Sequence, residues 1–171
     1  MKKSLLSLIV LLPMFALAQN ENYVSLNFAG GSTGTWFNDS YNEISVDFES
    51  RVSKLSGIGV GIGLARFNND NYLAVMDYIH MPIFYKLHTK WLNMSPVFTM
   101  DFLNRRMFSS ASSWTDFSSY YPIFFYGFGL AVSKDFFLTN KLYLETKAQA
   151  IYSPEVEEIF SIGLALKYRL N

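Results

Sequence analysis

From Tyr23 onward the chain alternates apolar and polar residues in short runs, and the alternation recurs eight times without one long apolar stretch. A period of two is the mark of a strand with two unlike faces, because successive side chains point to opposite sides. The runs are Tyr23–Gly30, Glu43–Val52, Gly57–Ala65, Tyr78–Leu87, Met94–Leu103, Ile123–Ser133, Lys141–Tyr152 and Ile159–Leu170. The second is the clearest: Ile44, Val46 and Phe48 oppose Glu43, Ser45, Asp47, Glu49 and Arg51. A helix would scatter those charges around its circumference. In the third, Ile58, Val60, Ile62 and Leu64 alternate with Gly57, Gly59, Gly61 and Gly63. The last sets Phe160, Ile162, Leu164, Leu166, Tyr168 and Leu170 against Ser161, Gly163, Ala165, Lys167 and Arg169.

The connections support the same architecture. Ser53–Ser56, His88–Trp91 and Asp135–Asn140 are short, and they alternate with Gly31–Asn42, Phe67–Asp77, Asn104–Tyr120 and Ser153–Glu158, which are mostly longer. An even-stranded membrane barrel with both termini in the periplasm has three short inner turns and four outer loops. Most runs reach the ~9–11 residues a tilted membrane strand requires. The expected fold is therefore all-β: a closed, antiparallel, eight-stranded, up-and-down transmembrane β-barrel.

The segment before the first run places that barrel. Lys2 and Lys3 precede an apolar stretch, Leu5–Leu17, and Ala16-Leu17-Ala18 supplies small residues for cleavage. That reads as a signal peptide over 1–18, with the barrel domain over 19–171. The apolar stretch is shorter than the ~20 residues of a spanning helix, and Ser7 and Pro13 interrupt it. Export of a barrel through a cleaved signal points to the outer membrane, with its lipids as the surrounding partner.

Composition narrows the chemistry. With no cysteine there is no disulfide, no acylated N-terminal Cys and no thiolate metal site. Loss of Lys2 and Lys3 takes 14 basic residues to 12 against 14 acidic ones. A net charge near −2 does not suit a nucleic-acid partner, which needs a basic footprint. The 16 Phe, 11 Tyr and 3 Trp are many for a soluble domain of this size, whereas a barrel can set them against lipid or in its interfacial girdles.

If the apolar faces meet lipid, the inward acids are Glu43, Asp47, Glu49, Asp101 and Glu145, and the inward bases are Arg51, Lys86, Lys147, Lys167 and Arg169. Equal numbers suit a mutually paired interior, since unpaired charges away from water are costly. Glycines on the third run leave room for long charged neighbours, and Glu145 and Lys167 fall roughly opposite each other on the last hairpin. Eight strands enclose a lumen just wide enough for side chains to fill. A charge-balanced plug is expected, and an open pore is not. A soluble lipocalin-like periplasmic barrel binding an apolar ligand would invert the pattern, with an apolar interior and a polar exterior.

Tyr78-Ile79-His80-Met81-Pro82-Ile83-Phe84-Tyr85-Lys86-Leu87 resembles the proline-bearing strand of the small porin-like proteins of the outer membrane β-barrel domain family. Gly127-x-Gly129 followed by Leu142-Tyr143-Leu144-Glu145-Thr146-Lys147 is similar to that family's glycine strand and its leucine–glutamate–basic strand. Gly163 to Leu170 is similar to its terminal strand, although this chain ends Arg169-Leu170-Asn171 rather than on an aromatic residue. The resemblance covers most of residues 19–171 and implies fold and location only, because the family carries no single activity.

Pro82 lacks a backbone donor and is expected at a local bend. His80 and His88, eight residues apart on one strand at ~3.3 Å per residue, cannot share a metal. No metal or cofactor site is expected. His80 is placed to hydrogen-bond Asp101 or Thr99 on the next strand. The enzymatic alternative is a lipid A-modifying protein in which His80 works with Asp77 or Asp101 and a serine, but no motif ties those residues together. A nucleophile elbow and a phosphate-binding glycine loop are absent from the sequence. Loop aromatics are the remaining candidates: Trp36 and Phe37 in the first outer loop, and Trp114 and Phe117 in the third. They read either as interfacial anchors or as a docking surface for a surface or envelope protein. The expected function is structural or loop-mediated binding by a non-enzymatic barrel.

Overall fold

The computed structural model describes residues 21–34, 40–69, 74–108 and 123–171. Eight strands follow one another: β1 Asn22–Thr33, β2 Ser40–Arg51, β3 Ser56–Asn69, β4 Ala74–His88, β5 Asn93–Phe108, β6 Phe124–Phe137, β7 Leu142–Ser153 and β8 Glu157–Arg169. Each pairs antiparallel with the next, and β1 pairs with β8 from Tyr23↔Arg169 to Thr33↔Ile159, so the sheet closes into a barrel. Closure leaves no sheet edge open to another chain. We call the end that holds residues 21 and 171 the lower end.

Direct cross-strand partners share a face, and the register sorts the alternation as the sequence pattern predicts. Val24, Leu26, Ile44, Val46, Ile58, Val60, Ile62, Leu64, Leu164 and Leu166 stand exposed on the outer wall. Ser25, Asn27, Glu43, Ser45, Asp47, Glu49, His80, Lys86, Thr99, Asp101, Glu145 and Lys167 are buried inside. On β4 the outer residues from Ile79 to Leu87 cover eight steps. At ~3.3 Å per step and a tilt near 40°, these span roughly 20 Å, close to the ~25 Å apolar band of a membrane barrel.

The strands run past the ends that alternation alone marks. Gly31 to Thr33, Ser40 to Asn42, Arg66 to Asn69, Ala74 to Asp77 and Asn104 to Phe108 all belong to strands. At the upper end the outward positions turn polar, as at Asn42, Arg66 and Asp77, so the apolar signal stops while the backbone ladder continues. Three of the four upper connections are consequently short, at 34–39, 70–73 and 154–156, and only the third, 109–123, is long. The signal segment and the loop candidates Trp36, Phe37, Trp114 and Phe117 lie outside the described residues.

Two glycines of β3 show how the interior is fitted. A Cβ at Gly61 would strike the Asp47 carboxylate and the Pro82 ring, and one at Gly59 would strike the Phe84 ring. Neighbouring side chains lean over these positions because there is nothing there to hold them off.

Candidate functional site: a filled and layered lumen

The interior is built in layers. At the lower rim Glu21 accepts from three directions. Tyr23 Oη donates to its Oε2 at 2.8 Å, Arg51 Nη1 lies 3.0 Å from Oε2, and Arg169 Nη1 lies 3.4 Å from Oε1. Arg51 N also donates to Glu21 O, Leu170 N to Asn22 O, and Asn22 N to the Asn171 side chain. Residues 21–22 and 169–171 are thus tied together across the seam between β1 and β8. This corrects the expectation that Arg51 and Arg169 join the luminal charge network. Both sit about 30% exposed at the rim, and their partner is an acid outside the alternating runs.

Above the rim lies the charged layer. Lys167 Nζ is 2.6 Å from Glu49 Oε2 and 4.4 Å from the centre of the Tyr23 ring. Lys86 Nζ reaches Glu145 Oε1 at 2.6 Å and Glu49 Oε2 at 3.3 Å. His88 Nε2 approaches Glu49 Oε1 at 3.0 Å. Four strands contribute the charged groups: β2, β4 twice, β7 and β8. Glu145 and Lys167 are not direct partners. The register sets Lys167 opposite Tyr143 and Glu145 opposite Ala165, so the two meet on the diagonal at 4.0 Å.

At mid-height the packing loosens. A cavity of about 30 Å³ is bounded by Asp47, Lys147, Pro82, Phe84, Gln149 and Asn27, among others. That is room for about one water. Asp47 Oδ1 has no hydrogen-bond partner among the described residues, and Lys147 makes no ion pair there within 4.0 Å. The expected close pairing of every inward charge is therefore not made at these two, which both line the cavity.

Next comes the His80 layer. His80 Nδ1 is 2.7 Å from Asp101 Oδ1, its direct cross-strand partner, and Nε2 is 3.7 Å from Glu43 Oε1. His80 is thus hydrogen-bonded to Asp101 on one side and has the Glu43 carboxylate within ion-pair distance on the other. Glu43 also accepts from Tyr41 Oη at 2.8 Å and from Ser45 Oγ at 3.0 Å.

The uppermost layer is apolar. Tyr41, Ala65, Phe67, Met76, Tyr78, Phe125, Ile151 and Ile159 form one buried cluster. Phe67, Tyr78 and Phe125 meet edge to face, with ring centres 5.0 to 6.0 Å apart, which favours each pair beyond its buried area. A plug that is polar throughout is thus not what the barrel contains. The polar filling is capped by aromatics on the upper halves of the strands, where inward residues such as Tyr41, Phe67 and Met76 fall outside the alternating runs. Phe125 and Ile151 do lie inside those runs. Among the described residues no group of His, Asp and Glu is arranged to hold a metal ion.

Comparison with known proteins gives the fold and little more. No protein-family profile matches the chain, and no curated protein does. Among solved structures it is similar to the Yersinia pestis outer membrane protein Ail in a phospholipid bilayer nanodisc. That match has a TM-score of 0.54 and 10% identity over 89% of this chain and all of that one. The N-terminal β-barrel domain of Pseudomonas aeruginosa OprF aligns at a TM-score of 0.49 and 12% identity, over 89% of this chain and all of that domain. The class established is a closed eight-stranded antiparallel β-barrel.

Proposed function

We propose that the chain is an integral outer-membrane β-barrel with a sealed interior. It serves as a scaffold whose outer loops bind, neither a pore nor an enzyme. One observation carries this reading: the outer wall is apolar around the barrel, while the interior formed by the described residues is polar and largely ion-paired below an apolar aromatic cap, with a small cavity at mid-height. A soluble ligand-binding barrel needs the opposite arrangement. Its exterior could not expose Ile62, Phe128, Ile162 and Leu164, which are each more than half exposed here, without aggregating. The likeness to Ail, itself an outer membrane protein, supports the same reading.

His80 fits this reading as a structural group. It is 3% exposed, held between two acids and covered by the aromatic layer, so its ring has no access to lipid on the outer wall.

The test is membrane fractionation with heat-modifiable gel migration, followed by recording in planar bilayers. The expected result is recovery with outer-membrane markers after cleavage behind Ala18, faster migration before boiling, and no stepwise conductance. Recovery in the soluble fraction, or sustained conductance, would overturn the proposal. A change in lipid A mass that His80→Ala abolishes would replace it with the enzymatic reading.

A further inference from the structure

The upper edge of the outer wall carries an unusual row. Leu64, Ile79 and Phe102 are direct partners across β3, β4 and β5 and form the last apolar row on that side. One row higher, Arg66 pairs with Asp77 and Asp77 with Arg105. The neighbouring inward residues Met76 and Tyr78 are fully buried, so this second row faces outward.

Arg105 reaches that face because of a bulge. The register moves from Tyr78↔Leu103 to Asp77↔Arg105, leaving Asn104 as the extra residue. Without it, alternation from Asp101 and Leu103 would turn Arg105 inward. Bulges commonly re-aim a side chain in this way.

The charges in the row do not cancel. Arg66 and Asp77 form a two-point pair, Nε to Oδ1 at 2.7 Å and Nη2 to Oδ2 at 3.1 Å. That pair holds the Arg66 guanidinium in place while half of its side chain stays exposed. Arg105 is exposed and has no ion pair among the described residues. The other bases of residues 19–171, apart from Arg106 beside it, lie in the lumen or towards the lower end. On the opposite side of the upper rim, the β7–β8 connection carries Glu155 and the start of β8 carries Glu158, both exposed. Positive charge at this end is confined to one side, directly above the apolar band.

We propose that Arg66, Asp77 and Arg105 seat the phosphate of a phosphorylated lipid headgroup in the outer leaflet. The inference rests on the membrane placement proposed above. Arg66 and Arg105 flank Asp77 on this outward row. Arg66 keeps Nη1 outside its pair with Asp77, and Arg105 makes no ion pair among the described residues. Both can therefore donate to phosphate oxygens, Arg105 with a forked pair of hydrogen bonds that a lysine could not reproduce. The apolar row of Leu64, Ile79 and Phe102 beneath them supplies the surface for the same lipid's acyl chains.

Native mass spectrometry of the refolded barrel in detergent, titrated with lipid A, tests this. Insertion into vesicles and heat-modifiable migration are checked first, so that failure of the membrane reading shows separately. The expected result is retention of lipid A, reduced about ten-fold or more in Arg66→Gln/Arg105→Gln. The control Lys54→Gln/Lys90→Gln removes the same charge at the lower end and should leave retention unchanged. Arg105→Lys should fall between. Equal retention of dephosphorylated lipid A, or equal loss in both double variants, would overturn the proposal. Full displacement by millimolar inorganic phosphate would overturn it in favour of a free-phosphate site.

Discussion

Single residues decide how the barrel is held shut. Glu21 touches Tyr23, Arg51 and Arg169, and so joins the strand before the first turn to the last strand. The hydrogen bond from Tyr23, with Arg51 and Arg169 beside it, holds the Glu21 carboxyl below the usual carboxylate range against the opposing effect of partial burial. A lowered folded-state pKa means that this carboxyl contributes stability above its unfolded value. The contribution is lost as pH falls through the folded one. Glu21→Gln should therefore lower the unfolding midpoint in urea at neutral pH, and the gap to the unaltered protein should close below about pH 4. Because Glu21 is nearly half exposed, the effect should also shrink in high salt. A gap that does not narrow at all as the pH falls would show that the carboxylate's charge is not what the substitution removes.

Strands are the scale at which orientation is decided. Their two faces demand opposite chemistry from one substitution. Val60 stands on the outer wall of β3, whereas Gln149 lines the cavity of β7, with its Nε2 donating to Glu43 Oε2 at 3.4 Å. Val60→Lys puts an ammonium against hydrocarbon, a cost of roughly 2–4 kcal/mol near the midplane. Gln149→Lys puts the same group beside Glu43 and Asp47 in a side chain of similar length. Urea unfolding in vesicles should show Val60→Lys as clearly the more damaging, with Gln149→Lys near neutral. The reverse order would place the polar face outward. Alternation made these faces readable from residues such as Ile44 to Arg51, where a strand of either orientation would look the same. It did not reveal the upper ends of β3, β4 and β5, since Arg66, Asp77 and Asn104 carry no apolar signal.

The whole molecule is closed twice, by the β1–β8 ladder around its girth and by the aromatic cluster across its upper interior. Each strand pair but one is a sequence neighbour, so only the final seam must be found over the length of the chain. Functional variation therefore belongs to the connections, which add nothing to the ladder. Replacing Trp114 and Phe117 with Ala should leave the heat-modifiable band and the urea midpoint unchanged. It should also reduce the yield of envelope proteins cross-linked to the outer loops in intact cells. A shifted midpoint would mean that these aromatics anchor the barrel, and an unchanged cross-link pattern would remove them from binding.

The fold class and the grouping of Glu43, Glu49, Asp101, Glu145, Lys86 and Lys167 on the polar faces follow from period and composition, because a two-faced strand must separate its residues by polarity. That those faces point inward is decided by the closed barrel. Strand order limits the partner of His80 to Asp101 or Thr99, and the register chooses Asp101. Pairing across the lumen does not. Glu49 meets Lys86, His88 and Lys167 from strands far apart in sequence, and Glu21 takes Arg51 and Arg169 away from the network, because barrel tilt and stagger set which heights coincide. The aromatic cap and the outward turn of Arg105 likewise depend on the three-dimensional register. A single unpaired residue, Asn104, reverses the face of everything beyond it.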